Sequence, residues 1–214
     1  MSKISLKHSG GNVVSLNSPS SAPTSADVAF KLPNADGTSG QAIVTDASGN
    51  LSFAGTGKIL QVKQAVKTDT ASSNSDSYAD ISGLSVSITP ASSSNKILVS
   101  CNIHVSGHTD SFQAFKVLRD STAIGLGTAG TGNQTNASFA TMCVNQGSAE
   151  YGLRIGSFEF LDSPSSTNPL TYKIQWASTY QSYTSYINRP HDTVNDDYSI
   201  FASSSITVRE VVPS

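Results

Sequence analysis

The residues best suited to chemistry are gathered in one stretch, Trp176 to His191, reading WASTYQSYTSYINRPH. It contains the only tryptophan of the chain together with Tyr180, Tyr183, Tyr186, Arg189 and His191, with Gln181 and Asn188 among them. Aromatic faces against sugar C–H groups, ringed by amide and hydroxyl hydrogen bonds, are what a glycan site uses. The candidate glycan-binding residues are therefore Trp176, Tyr183, Tyr186 and Arg189. Arg189 has the planar fork that pairs with the carboxylate of an acidic sugar. The competing reading puts Trp176 in the core and the tyrosines in a loop or a subunit interface, where such residues are also enriched.

Other reactive residue types lack an arrangement. His104 and His108 are four residues apart. On a strand that spacing separates them by about 13 Å, too far to share one metal. Only a symmetric oligomer could gather copies of one histidine on its axis, so no metal and no cofactor is expected. Ser, His and Asp are plentiful, but no GxSxG nucleophile elbow occurs. Glu150, Glu159, Asp162, Asp192, Asp196 and Asp197 offer carboxylates, yet nothing in their spacing sets a pair across one sugar. Asn34, Asp36, Asp46 and Asn50 fit turn chemistry without calcium. The chain is expected not to be an enzyme. Cys101 and Cys143 each lie in an apolar-alternating run and read as buried thiols.

The strands that must carry these residues are written in period-two alternation. Lys96 to Val105 is the clearest, with Ile97, Val99, Cys101, Ile103 and Val105 on one face and Ser100, Asn102 and His104 on the other. Ile59–Val66, Leu84–Thr89, Phe112–Arg119, Ser138–Val144, Leu153–Leu161, Leu170–Ala177, Ser199–Ala202 and Ser204–Val212 are further candidates. Turn signals separate them, and no amphipathic helix of useful length appears. This reads as an all-β fold, an antiparallel β-sandwich of jelly-roll type, over residues 58–214. The serine-rich pieces Ser18–Ser25 and Thr70–Ser77 fit disorder.

Residues 1–57 read differently. Short strand-like pieces, Ile4–Leu6 and Asn12–Leu16, flank Gly10-Gly11, and Pro19 and Pro23 follow. Phe30 to Ala54 places Ala42-Ile43-Val44 and Leu51-Ser52-Phe53 between turn signals at Asn34–Gly37 and Asp46–Asn50. Such pieces expose backbone donors and acceptors that one copy cannot satisfy, which predicts an extended attachment arm that pairs with other copies or with a larger assembly.

Composition removes several function classes. The chain has 214 residues, 13% charged, with a formal net charge of −2. No Lys/Arg cluster exists to bind phosphates, so nucleic acid is not an expected partner. No apolar run approaches the roughly 18–20 residues of a membrane span, and the N-terminus lacks the apolar core of a signal peptide. Synthesis and first folding in a cytoplasm follow as the expectation.

The wording of the N-terminal quarter carries a resemblance. LPNADGTSGQAIVTDASGNLSFA (Leu32 to Ala54), with ISLKHSGGNVVSLNSP (Ile4 to Pro19) before it, resembles a repeated element of bacteriophage tail fibres and other virion appendages, especially those of phages of cyanobacteria and marine bacteria. ISGLSVSITPASSSNKILVS (Ile81 to Ser100), FKVLRDSTAIG (Phe115 to Gly125) and FLDSPSSTNPLTYKIQW (Phe160 to Trp176) resemble the head domain that often follows it. The resemblance implies a virion structural protein assembled in the bacterial cytoplasm and forming a homotrimer. The arm (1–57) would dock on other tail or capsid proteins, and the head (58–214) would face host surface polysaccharide. A capsid decoration or head-fibre protein is the alternative it leaves open.

Overall fold

The computed structural model describes residues 3–7, 10–11, 13–17, 31–37, 41–46, 48, 50–55, 59–108, 111–128, 131–143, 151–179 and 183–213. Among them there is no helix, and the sheets are antiparallel. The chain divides into two compact units, Met1–Thr56 and Gly57–Ser214.

In the first unit β1 (Lys3–Lys7) pairs with β2 (Val13–Asn17), and β3 (Gln41–Thr45) pairs with β4 (Leu51–Gly55). The β3–β4 turn is closed by Asp46. Its Oδ1 accepts from the N–H of Ser48 and Asn50 at 2.8 and 3.1 Å, and its Oδ2 accepts from Asn50 Nδ2 at 2.6 Å. This is the local side-chain bonding that makes Asp a turn residue. Leu51 N–H donates to Lys31 O, which ties the preceding segment to the hairpin. Gly37 lies against the Phe53 ring, where a Cβ would come within 2.6 Å of ring carbon.

The second unit is built from β5 (Ile59–Lys67), β6 (Ala71–Ser73), β7 (Ala79–Ile88), β8 (Lys96–Gly107), β9 (Phe112–Arg119), β10 (Thr122–Ile124), β11 (Phe139–Met142), β12 (Arg154–Asp162), β13 (Leu170–Ser178), β14 (Ser185–Ile187) and β15 (Ser204–Val211). One sheet runs β5–β15–β8–β12. The short β6–β14 pair extends its β5 and β15 columns, with β14 taking over from β15 along the β8 edge. The other sheet runs β7–β13–β9, and the far edge of β9 is shared by β10 and β11. The chain visits the columns as first-sheet edge, second-sheet edge, first centre, second centre, second edge, first edge, second centre, first centre. That order is the jelly roll.

Alternation explains the layering. Ile97, Val99, Cys101, Ile103 and Val105 of β8 all face inward and are buried, as their spacing predicts. They meet Phe115 and Val117 of β9, Tyr172, Ile174 and Trp176 of β13, Leu84, Val86 and Ile88 of β7, and Ile206 and Val208 of β15 in one core. Each such side chain contributes about 1.5–3 kcal/mol by leaving water. Toward the β11–β12 edge the core ends in an aromatic ladder: Phe115 on Phe139 at 4.7 Å, Phe139 on Phe158 at 5.8 Å, Phe158 on Phe160 at 6.0 Å. Arg119 Nη1 donates to both oxygens of Asp162 at 2.7 Å, and Tyr172 Oη donates to Asp162 Oδ2 at 2.7 Å, which joins the two sheets through a partly buried ion pair.

Two expectations are corrected. Ala71–Ser73, inside the stretch that fits disorder, forms β6 by pairing with β14. Ser199–Ala202 is not a strand. It is loop, with Ala202 N–H donating to Asn188 O and with Ile200 and Phe201 exposed. Ser18–Ser25 lies outside the described residues.

Candidate functional site

The aromatic stretch is assembled at the end of the sandwich where β8 and β13 finish and β9 and β14 begin. β8 ends at Gly107, which delivers His108. The β13–β14 connection delivers Tyr183, β14 carries Tyr186, and the segment after it carries Arg189 and His191. The His108 ring stacks on Tyr183 with centroids 4.1 Å apart and planes 19° from parallel. His191 meets His108 edge-on at 5.9 Å and Tyr186 edge-on at 5.4 Å. The Arg189 guanidinium lies 4.2 Å from the centre of the Tyr186 ring. Four rings and one guanidinium thus form a continuous, half-buried surface.

That surface rests on a buried layer of hydroxyls and amides. Gln113 Nε2 donates to Ser111 Oγ at 2.7 Å and to Ser185 Oγ at 3.0 Å. Ser185 Oγ bonds Ser178 Oγ at 3.2 Å, and Ser178 Oγ donates to Tyr183 O at 2.7 Å. Asn188 sits at φ 63°, a left-handed conformation that Asn tolerates better than most residues. Its Nδ2 donates to Lys67 O and Asp69 O, and its Oδ1 accepts from Ser204 Oγ at 2.6 Å. Ser106 Oγ donates to Arg189 O at 2.7 Å. Gly107 permits the close packing: a Cβ there would fall 2.3 Å from Ser111 Oγ and 2.9 Å from Gln113 Nε2. A fully bonded buried network of this kind fixes the groups above it.

Of the sequence-nominated residues, Tyr183, Tyr186 and Arg189 belong to this surface and Trp176 does not. Trp176 is 4% exposed and packs in the core. Its position on β13 is in phase with Leu170, Tyr172 and Ile174, so the strand turns its ring inward. Arg189 is drawn back into its own loop: Nε donates to Pro190 O at 3.0 Å and Nη2 to His191 O at 2.9 Å. Its main part is to brace Tyr186. Tyr180 and Gln181 lie outside the described residues. His108, weighed from sequence only as a metal ligand beside His104, was missed, and His191 stood in the stretch but outside the nominated set. The mount could have been anticipated from Gln113, a polar residue in the inward phase of Gln113, Phe115, Val117 and Arg119.

The remaining reactive types are accounted for by structure. Among the described residues no group of three or more His, Cys, Asp or Glu could hold a metal ion. His104 Nδ1 donates to Ser203 O at 2.7 Å. Neither cysteine is in a disulfide; Cys101 is buried, and burial pushes its thiol up to about 12. Glu159 accepts from Ser100 Oγ on the outer face of β12, Asp192 Oδ1 lies 3.0 Å from His191 Nδ1, and Asp196 accepts from the N–H of Asp197. Glu150 lies outside the described residues.

No protein-family model and no curated protein matches the chain. Among solved structures, one of infectious bursal disease virus, Gx strain, aligns at 10% identity with a TM-score of 0.36, covering 81% of this chain and 47% of that one. This chain therefore spans about half the length of that neighbour, and at such distance the likeness says nothing of what the chain does.

Proposed function

We propose that the chain is a non-enzymatic structural protein of a bacteriophage particle. In this reading Met1–Thr56 attaches it to other virion proteins, copies associate as a homotrimer, and the jelly-roll head presents its aromatic end to host surface polysaccharide. The observation that carries it is the mounted ring surface of His108, Tyr183, Tyr186 and His191. Rings held on a buried hydrogen-bond network lose little freedom when a sugar stacks on them, which is what favours binding of a weakly interacting ligand. The wording of Leu32 to Ala54, which resembles phage appendages, supports the virion part.

The test is binding of the full chain to an array of bacterial surface polysaccharides. Tyr183→Ala with Tyr186→Ala is expected to lower binding at least about tenfold, a loss of about 1.4 kcal/mol, with the melting temperature kept. Undiminished binding by that variant sinks the site. The capsid decoration reading is favoured by one observation: Trp176, the largest stacking ring of the stretch, is spent on the core. A wild-type chain that binds no polysaccharide but binds phage shells would establish that reading instead.

A further inference from the structure

We infer that the outer face of the β5–β15–β8–β12 sheet is the surface on which copies of this chain pack against one another. The inference deepens the homotrimer reading and rests on it. A sheet face that meets only water carries polar residues in its outward phase. The opposite outer face does so: Lys173 Nζ and Gln175 Nε2 donate to Asp80 at 2.7 Å, Ser87 bonds Thr171 at 3.0 Å, and Lys116 covers the Tyr78 ring.

The β5–β15–β8–β12 face breaks the rule along both edges. Val62 and Val66 of β5 are 54% and 51% exposed, and Ile155 and Leu161 of β12 are 62% and 52% exposed. Between these apolar margins lies a polar ladder already bonded within the face. Gln64 Nε2 donates to Thr207 Oγ1 at 2.9 Å, Arg209 Nη1 donates to Ser100 Oγ at 3.0 Å, and Ser100 Oγ donates to Glu159 Oε2 at 3.0 Å. Aliphatic side chains this exposed along both margins of one sheet face fit a surface that a partner covers better than one that meets only water.

The charges select the occupant. Along its bonded ladder this face pairs the cation Arg209 with the anion Glu159 on different strands, and Lys96, in the same outward phase of β8, donates to Ser163 Oγ at 2.8 Å. A strongly basic or acidic partner would leave one of the two opposed to like charge. One copy can set its Arg209 against Glu159 of the next, a head-to-tail contact that can repeat around a threefold axis. A depression of about 250 Å³ between β8 and β12, with Ser100, Asn102, Ser157 and Glu159 on its rim, offers room for the incoming side chain.

The experiment is the mass of the full chain by light scattering across a dilution series. Val62→Glu with Leu161→Glu is expected to weaken association at least about tenfold (1.4 kcal/mol). Ser85→Glu with Ser87→Glu, on the opposite face, is expected to leave it unchanged. Val62→Ser with Leu161→Ser serves if the glutamate pair lowers the melting temperature, and should weaken association in the same direction. Arg209→Glu alone should weaken it, and adding Glu159→Arg should restore it. Wild-type association that these variants leave untouched overturns this face and spares the homotrimer reading. A wild-type chain that stays monomeric at every concentration overturns both.

Discussion

The β3–β4 hairpin and the jelly-roll head are written in the same vocabulary of short apolar runs and Asp, Asn and Gly turns, yet only one of them has an inside. No described side chain between residues 31 and 55 is buried; Leu32 is 79% exposed and Ile43 57%. In the head the same kind of run, Ile97 to Val105, is buried at every second residue. The hairpin's order comes from Asp46 and from backbone pairing, whereas the head's comes from long-range strand pairing that stacks two sheets. Turn chemistry gives a shape but supplies little free energy. A two-stranded hairpin is marginal at best in water, so β3–β4 draws little stability from its own pairing.

The largest expected effect separates the two regions directly. Phe115 is fully buried and stacks on Phe139. Phe115→Ala should cost about 3–5 kcal/mol, read as a large fall in the head's melting temperature. Phe53→Ala, in the hairpin, should leave that transition where it is. Equal falls would mean that the hairpin is part of the head's cooperative unit. Next comes Asp162. Removing its carboxylate in Asp162→Ala strands Arg119 and Tyr172, and should cost about 3 kcal/mol, the low end for a broken buried pair, because Arg119 remains 23% exposed. The paired change Asp162→Leu with Arg119→Met should cost less than Asp162→Ala alone. Asn188→Ala removes the amide bonds to Lys67 O and Asp69 O and leaves alanine at positive φ. A loss of about 1–3 kcal/mol is expected, and the proposed polysaccharide binding should weaken with it as the ring surface loses its mount.

How far the sequence could be read follows from the range of the forces. Long alternating strands were legible because each residue's face is set by its neighbour: β8, β9, β12 and β13 lie where the pattern puts them. The three-residue strands β6, β10 and β14 were not, since three residues hold no period, and β6 and β14 exist only through pairing between residues as far apart in the chain as Ser72 and Tyr186. The jelly-roll strand order is illegible for the same reason. Ser199–Ala202 misled in the other direction: Ile200 and Phe201 look like strand residues, but no strand edge reaches them and they stay exposed. Trp176 was readable, since Leu170, Tyr172 and Ile174 already pointed its ring inward; its aromatic neighbours in sequence drew it to the wrong side.

The smallest effect is a pH dependence, and it sharpens the contrast between a carboxylate inside and one outside. Glu210 is buried in the head. Burial pushes its carboxyl up, but hydrogen bonds from Asn95 Nδ2 at 2.6 Å, Gln61 Nε2 at 2.7 Å and the N–H of Ala91 at 2.7 Å outweigh it and hold the group below its ordinary 4.5. A carboxyl lowered in the folded state adds stability that is complete above its unfolded value and is lost as pH falls through the folded one. Glu210→Gln should therefore be less stable than wild type at pH 7, and the gap should close as pH drops below about 4.5. Asp46 is also lowered, by Asn50 and then Ser48, but it is fully exposed in the hairpin. Asp46→Asn should leave the head's acid unfolding curve unmoved. A Glu210→Gln gap that stays constant from pH 7 to pH 3 would mean that the glutamate acts by shape and amide-like bonding rather than by charge. The inside–outside contrast between the two carboxylates would then reduce to packing alone.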